Sequence, residues 1–375
     1  MCHDAVQLPH IADDFRINMT PVNEPTPSRR SLLTGGLALG AATVLPLWAT
    51  GQAQAATGPS VADTTAWGAR PPSSPVRVLP TPPQKIIVHH TATPNTTDYS
   101  QAQAFGLARS MQDWAMDEKH WIDTGQHFTV SRGAYVTEGR HGSLAALQGG
   151  TQTVESAHCT GQNTIAIGIE NEGTYLTVDP RGEQYAKLVE LCAYICGQYG
   201  LRAYQIYGHR DFNATECPGD RLYAMLPQLR RDVAARIGGD PTAPVWPLLH
   251  NGDTGDRVRA LQHLLVRRGA TITVDGGFGP ATEQAVRDFQ TLVTATSDGW
   301  AGNQTWHQLA VPVRQGDTGE AVKAVQLLLT AKGVPTDVDG AFGPGTLASV
   351  ATFQNTVGLP ADGLADARTF SRLLA

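Results

Sequence analysis

A chain of 375 residues, 41% apolar and 17% charged, can bury ordinary globular cores and is expected to fold as two or three domains. Its formal net charge of −6 and pI near 6.0 give no basic field to hold a phosphate backbone, which excludes nucleic acid as a partner.

The N-terminal segment has the pattern of an export leader. Ser28, Arg29, Arg30, Ser31, Leu32 and Leu33 precede a small and apolar run from Thr34 to Trp48, and Ala53-Gln54-Ala55 supplies an A-x-A cleavage site. Residues 1–55 are therefore expected to be a twin-arginine signal peptide, with Met19 as an alternative start and a mature chain beginning near Ala56. The run is shorter than the ~20 residues a spanning helix needs, and Pro46 interrupts it, which argues against a membrane anchor. The expected location is outside the cell or in its wall, with no membrane span after cleavage.

Residues 60–237 alternate element types. Strands are expected at Lys85 to His90, His127 to Ser131, Tyr135 to Thr137, Ile165 to Glu172 and Gln205 to Gly208, and helices at Ala102 to Glu118, Gln184 to Tyr199 and Arg221 to Ile237. This is an α/β pattern, a mixed central sheet flanked by helices. Residues 238–245, rich in Gly and Pro, are expected to be a linker.

Beyond the linker the sequence repeats itself with a constant offset of 64. Gly252-Asp253-Thr254-Gly255 returns as Gly316-Asp317-Thr318-Gly319, Gln262 as Gln326, Phe278-Gly279-Pro280 as Phe342-Gly343-Pro344, and Asp298-Gly299 as Asp362-Gly363. Val258, Leu261, Leu264 and Leu265, like Val322, Val325, Leu328 and Leu329, fall at helical spacing, so residues 246–310 and 311–375 are expected to be two small all-α three-helix repeats. They carry 10 Lys+Arg against 12 Asp+Glu, which argues against purely electrostatic binding to anionic polymers.

Three residues of the first domain could hold a metal. His89 and His209 each end an apolar strand, where α/β proteins place their sites, and Cys217 follows His209 by eight positions. Two neutral imidazoles and a thiolate make a three-ligand zinc site with an open fourth position, the arrangement of catalytic zinc. Imidazoles hydrogen-bonded at strand ends are the alternative.

Ile87-Val88-His89-His90-Thr91-Ala92, Gly208-His209-Arg210-Asp211 and Cys217-Pro218-Gly219-Asp220-Arg221-Leu222-Tyr223 together resemble the zinc N-acetylmuramoyl-L-alanine amidase family that includes the peptidoglycan recognition proteins. Trp121 to Gly125, Glu138-Gly139-Arg140 and Ala157-His158-Cys159 with Asn163 extend the resemblance, and the repeats resemble three-helix peptidoglycan-binding domains. The resemblance implies that His89, His209 and Cys217 bind zinc, that the substrate is peptidoglycan, and that water cleaves the amide between the lactyl group of N-acetylmuramic acid and L-alanine. It also implies that Thr215 steadies the oxyanion and that His158 and Asn163 line the substrate groove, with Arg140 facing a peptide carboxylate or solvent. A monomer is expected.

The chain departs from the family at Gln126, in the groove, where phage-lysozyme and recognition-protein members carry a tyrosine that orients water or the carbonyl. An amide cannot serve as a general base near neutral pH. In the strand from Ile165, the residues Ala166, Gly168 and Glu170 share one face and the isoleucines the other, which leaves room beside a carboxylate. Cytoplasmic anhydromuropeptide amidases are similar in lacking the tyrosine and carrying a catalytic glutamate in such a segment, so Glu170 is the expected base. The competing reading, favoured by Gln126, is a module that recognises peptidoglycan without cutting it. Of the remaining cysteines, a Cys192–Cys196 bridge within one helix would be strained, and Cys159 could pair with either.

Overall fold

The computed structural model describes residues 58–375, so the leader expected over residues 1–55 lies outside the described residues. Among them the strands are β1 (Val61–Ala62), β2 (Val78–Leu79), β3 (Lys85–His90), β4 (Phe128–Val130), β5 (Val136–Glu138), β6 (Thr153–Val154), β7 (Ala166–Asn171) and β8 (Ile206–Gly208). Six of these form one sheet in the order β1-β5-β4-β7-β3-β8, and β2 pairs with β6 apart from it. Only the β4–β5 pair in the large sheet is antiparallel. The sheet is mixed and flanked by helices, as the alternation of elements predicts.

β3 lies inside the sheet because Ile86, Ile87 and Val88 suit a strand buried on both faces, and all three are fully enclosed. The helices of this half are α1 (Gln101–Asp113), α2 (Ser143–Gly149), α3 (Gly182–Tyr199), α4 (Asp220–Ala224) and α5 (Leu226–Ile237). Ser100 caps α1 by accepting the Gln103 N–H at 3.1 Å. Leu188, Leu191 and Ile195 of α3 and Leu229 and Val233 of α5 cover one sheet face, packing on Ile86, Val88, Ile167 and Ile169. Each such side chain contributes about 1.5–3 kcal/mol by leaving water. The opposite face carries a small cluster of Ile87, Ala166, Cys159, Tyr207 and Phe212.

Most ends fall within two residues of expectation, and two helices differ by more. The helix expected over Arg221 to Ile237 is two helices parted at Met225, because Pro227 has no N–H to continue the first and sits in the opening turn of the second. The helix expected to run to Glu118 ends its regular turns at Asp113 and closes in a wider turn, Trp114–Glu118.

The C-terminal region is all helical: α6 (Asp256–Arg267), α7 (Pro280–Leu292) and α8 (Asn303–Leu309), then α9 (Glu320–Ala331), α10 (Pro344–Thr356) and α11 (Ala367–Leu374). One device recurs. Nε2 of Gln262 donates to Asp275, Gly277 and Thr282 while its Oε1 accepts the Gly276 N–H, so a buried amide ties an Asp-Gly turn to the start of the next helix. Gln290, Gln326 and Gln354 do the same with their own Asp-Gly turns and threonines. The repeats share one core, with Leu261 and Leu264 of α6 and Val325 and Leu328 of α9 in a single cluster. No helix among the described residues is long and apolar enough to cross a membrane.

A candidate metal centre at the end of the sheet

The pleat decides which residues of β3 and β7 meet. In their parallel register Lys85 pairs with Ala166, Ile87 with Gly168 and His89 with Glu170, and these pairs share the face away from α3 and α5. His209 follows β8, the other neighbour of β3, in a short turn of helix His209–Asp211, and the loop beyond returns Cys217 to the same spot. The ligand atoms of His89, His209 and Cys217 all lie within 4.8 Å of one another, and all three residues are buried. Cys217 Sγ is 3.6 Å from His89 Nδ1. Tetrahedral zinc ligands about 2.0–2.3 Å from the ion stand roughly 3.3–3.6 Å apart, so the Cys217–His89 separation is that of two ligands of one ion, and two imidazoles with a thiolate are donors of the kind zinc takes.

Its surroundings set the protonation of His89. Burial, and then the adjacent imidazoles, push His89 well below its usual value, which keeps it neutral as a metal ligand must be. His89 Nε2 is 2.9 Å from His158 Nδ1, and His158 Nε2 faces the Ala166 carbonyl at 3.5 Å. A carbonyl only accepts, so the relay runs from His89 Nε2–H to His158 and from His158 Nε2–H to Ala166, and it leaves His89 Nδ1 for a metal. Gly168 permits this, since a Cβ there would collide with the His158 ring. His158, expected in the substrate groove, thus abuts His89 of the candidate metal centre. His90 takes the other face, where its Nδ1 accepts the Tyr175 N–H at 3.2 Å and burial lowers it to about 4.

Glu170 stands one strand from His89. Only part of the residue reaches solvent, its Oε2 is enclosed with no hydrogen-bond partner among the described residues, and burial raises its carboxyl to about 7. Thr215 Oγ1 accepts the Cys217 N–H at 3.1 Å, and the His90 N–H donates to Cys217 Sγ at 3.5 Å.

The other expected site residues belong to the framework. Gln126 is buried and donates to Thr129 Oγ1 at 3.1 Å, beside Glu170 in the register of β4 with β7. Arg140, expected to meet a peptide carboxylate or solvent, is buried and donates to the carbonyls of Thr124 and Glu155 at 2.7 and 2.8 Å, joining two loops. Asn163 Oδ1 accepts the Cys159 N–H at 2.9 Å and folds its own loop. Cys159 lies on the site face while Cys192 and Cys196 are buried residues of α3 across the sheet, so neither bridge to Cys159 forms, and Cys192 and Cys196 are unbridged thiols.

The amidase model matches residues 79–220, and the peptidoglycan binding domain model matches 254–309 and 318–373. Peptidoglycan-recognition protein LB of Drosophila melanogaster is 30% identical over 188 residues, 49% of this chain and 76% of that protein. The chain belongs to the family of N-acetylmuramoyl-L-alanine amidases and peptidoglycan-recognition proteins. Within that family it is 31% identical over 204 residues to the human N-acetylmuramoyl-L-alanine amidase, covering 50% of this chain and only 33% of the human protein. It is 24% identical over 345 residues to the amidase CwlL of Bacillus licheniformis, covering 77% of this chain and 91% of that one. An amidase-family domain here precedes two peptidoglycan-binding repeats.

Proposed function

We propose that this protein is a zinc-dependent N-acetylmuramoyl-L-alanine amidase, exported by the twin-arginine route and acting as a monomer in the cell wall. Residues 60–237 would form the catalytic domain, and the repeats over 246–310 and 311–375 its attachment to peptidoglycan. The observation that carries this reading is the meeting of His89, His209 and Cys217 at the sheet end with an unpartnered carboxylate one strand away.

His89, His209 and Cys217 would hold the zinc, which when bound supplies Lewis acidity at an open fourth position. Glu170 handles the proton. Its carboxylate takes one from the attacking water as the water oxygen adds to the lactyl carbonyl carbon. It then gives that proton to the alanine nitrogen as the C–N bond breaks, leaving a free amine and a lactyl carboxylic acid, which loses its remaining proton to solvent. The Thr215 hydroxyl, already accepting from Cys217, retains its O–H to donate to the developing oxyanion.

The test is mass spectrometry of peptidoglycan treated with zinc-loaded protein, chelated protein and Glu170→Gln. Stem peptides with a free N-terminal alanine, released by the first preparation alone, are expected. Wall binding without release from any preparation would make the protein a recognition module, the reading that Gln126 favours.

A further inference from the structure

The loop that carries His209 and Cys217 is covered on its outer side by the first repeat. Gln304 of α8 donates from Nε2 to the carbonyls of Arg210 at 3.0 Å and Asn213 at 2.7 Å. Gln308, a turn later, reaches the carbonyls of Thr160 at 3.3 Å and Phe212 at 3.4 Å. The Ala214 N–H donates to the Thr294 carbonyl at 2.9 Å, and the His307 ring packs edge-on against Tyr207 at 4.8 Å between centroids. Gly161, at φ +80, allows the approach, because a Cβ there would lie 2.7 Å from Gln308 Oε1.

Asn213 carries this contact to the metal centre. Its side chain is buried, and Nδ2 donates to the carbonyl of Val293 in the first repeat at 2.6 Å and to that of Thr160 at 3.2 Å. Two carbonyls can face only the NH2 end of the amide, so Oδ1 is the atom that meets His209 Nε2 at 2.9 Å. An oxygen there requires the His209 proton on Nε2, and Nδ1 keeps its lone pair for the ion. His89 has its tautomer set inside the amidase domain, through His158 and Ala166; His209 has its tautomer set partly by another domain.

We propose that the first repeat is a working part of the metal centre: it orients Asn213, a positioning residue that fixes the tautomer and aim of His209, so zinc affinity depends on the docking of a wall-binding module. This rests on the zinc reading above. The second repeat has different chemistry at the matching positions. Gln304, His307 and Gln308 become Arg368, Ser371 and Arg372, and there Arg368 pairs with Asp240 and Ser371 donates to the Val245 carbonyl.

The test uses the full chain and measures zinc dissociation by competition with a chromophoric chelator. Asn213→Ala is expected to weaken zinc binding roughly 10- to 100-fold, and the paired Gln304→Ala and Gln308→Ala, which leave the amidase domain untouched, about 10-fold. Asn213→Leu fills the same volume without an oxygen for Nε2–H and is expected to bind zinc as weakly as Asn213→Ala, whereas mere loss of packing would be restored by it. Wild-type zinc affinity in Asn213→Ala or in the glutamine pair would overturn the proposal, as would a Leu variant that regains the affinity of the parent. Should Asn213→Ala not fold, the glutamine pair decides. Failure of the unsubstituted chain to bind zinc would instead overturn the metal reading, and is seen before any variant is made.

Discussion

His89 and His90 are neighbours with the same side chain, yet the pleat of β3 sends them to different worlds. His89 joins His158, His209, Cys217 and Glu170 on a face built of polar groups over glycine and alanine, while His90 enters the face where α3 and α5 bury isoleucine, leucine and valine. The first face leaves a carboxylate oxygen without a partner, and the second is closed by apolar packing. An unpaired buried carboxylate costs stability, so such a group points to a task other than holding the fold together. Residue type alone therefore says less about role than the parity of a position along a strand.

The sharpest way to break this contrast is to remove chemistry from the polar face without changing its shape. Glu170→Gln is expected to lower kcat/KM about 1,000-fold, equivalent to about 4 kcal/mol of barrier, with an unfolding midpoint no lower than that of the parent. Cleavage of a muramoyl peptide and a thermal melt would be compared; activity within about tenfold of the parent would place the base elsewhere. On the other face Ile169→Ala, one residue away on β7 and fully buried, is expected to cost about 3 kcal/mol of stability in a denaturant titration. Its zinc affinity should match the parent's, and a large loss of zinc would mean that the two faces are not separable.

The two histidines make the contrast within one dipeptide. His89→Ala should abolish tight zinc binding. His90→Ala leaves the Tyr175 N–H without its acceptor and should cost about 1–3 kcal/mol of stability, while zinc affinity stays within about threefold, because the backbone N–H of residue 90 that reaches Cys217 is kept by the substitution. Chelator competition and denaturant titration on both variants separate these outcomes; equal zinc loss in both would erase the distinction.

Much of this was legible in sequence, for identifiable reasons. Lys85 to His90 is bounded correctly because a run of β-branched residues buried on both faces has few other solutions, and alternation along β7 puts Glu170 on the face of its small neighbours. The short β1, β2 and β6 and the seven-residue α2 are too brief to leave a period. Pro227 was visible, but the apolar stripe runs through the break at Met225 and hides it. A resemblance supplies positions and not partners, which is why Arg140 and His158 were expected at substrate and are found bonded to loop carbonyls and to His89. The docking of Gln304 and Gln308 left no signal, since uncharged polar residues on a short helix look the same whether they face water or another domain.

The smallest expected effect concerns the proton on Glu170. Burial raises its carboxyl from 4.5 to about 7, so the folded chain holds that proton more tightly than the unfolded chain does. The sign follows: this group's stabilising contribution is complete below its unfolded value and is lost as pH rises through about 7. The metal-free parent should therefore lose stability between about pH 5 and 8 relative to Glu170→Gln, which has no proton to lose there. A dication beside the carboxylate favours the charged form, so the limb of kcat/KM that rises with pH as the base deprotonates should lie below 7 in the zinc-loaded enzyme. Melting curves of both metal-free proteins across that range supply the check. Parallel curves would mean that the carboxylate is solvated in the folded chain, and the polar face would then lose the one group whose isolation sets it apart from the face beneath α3.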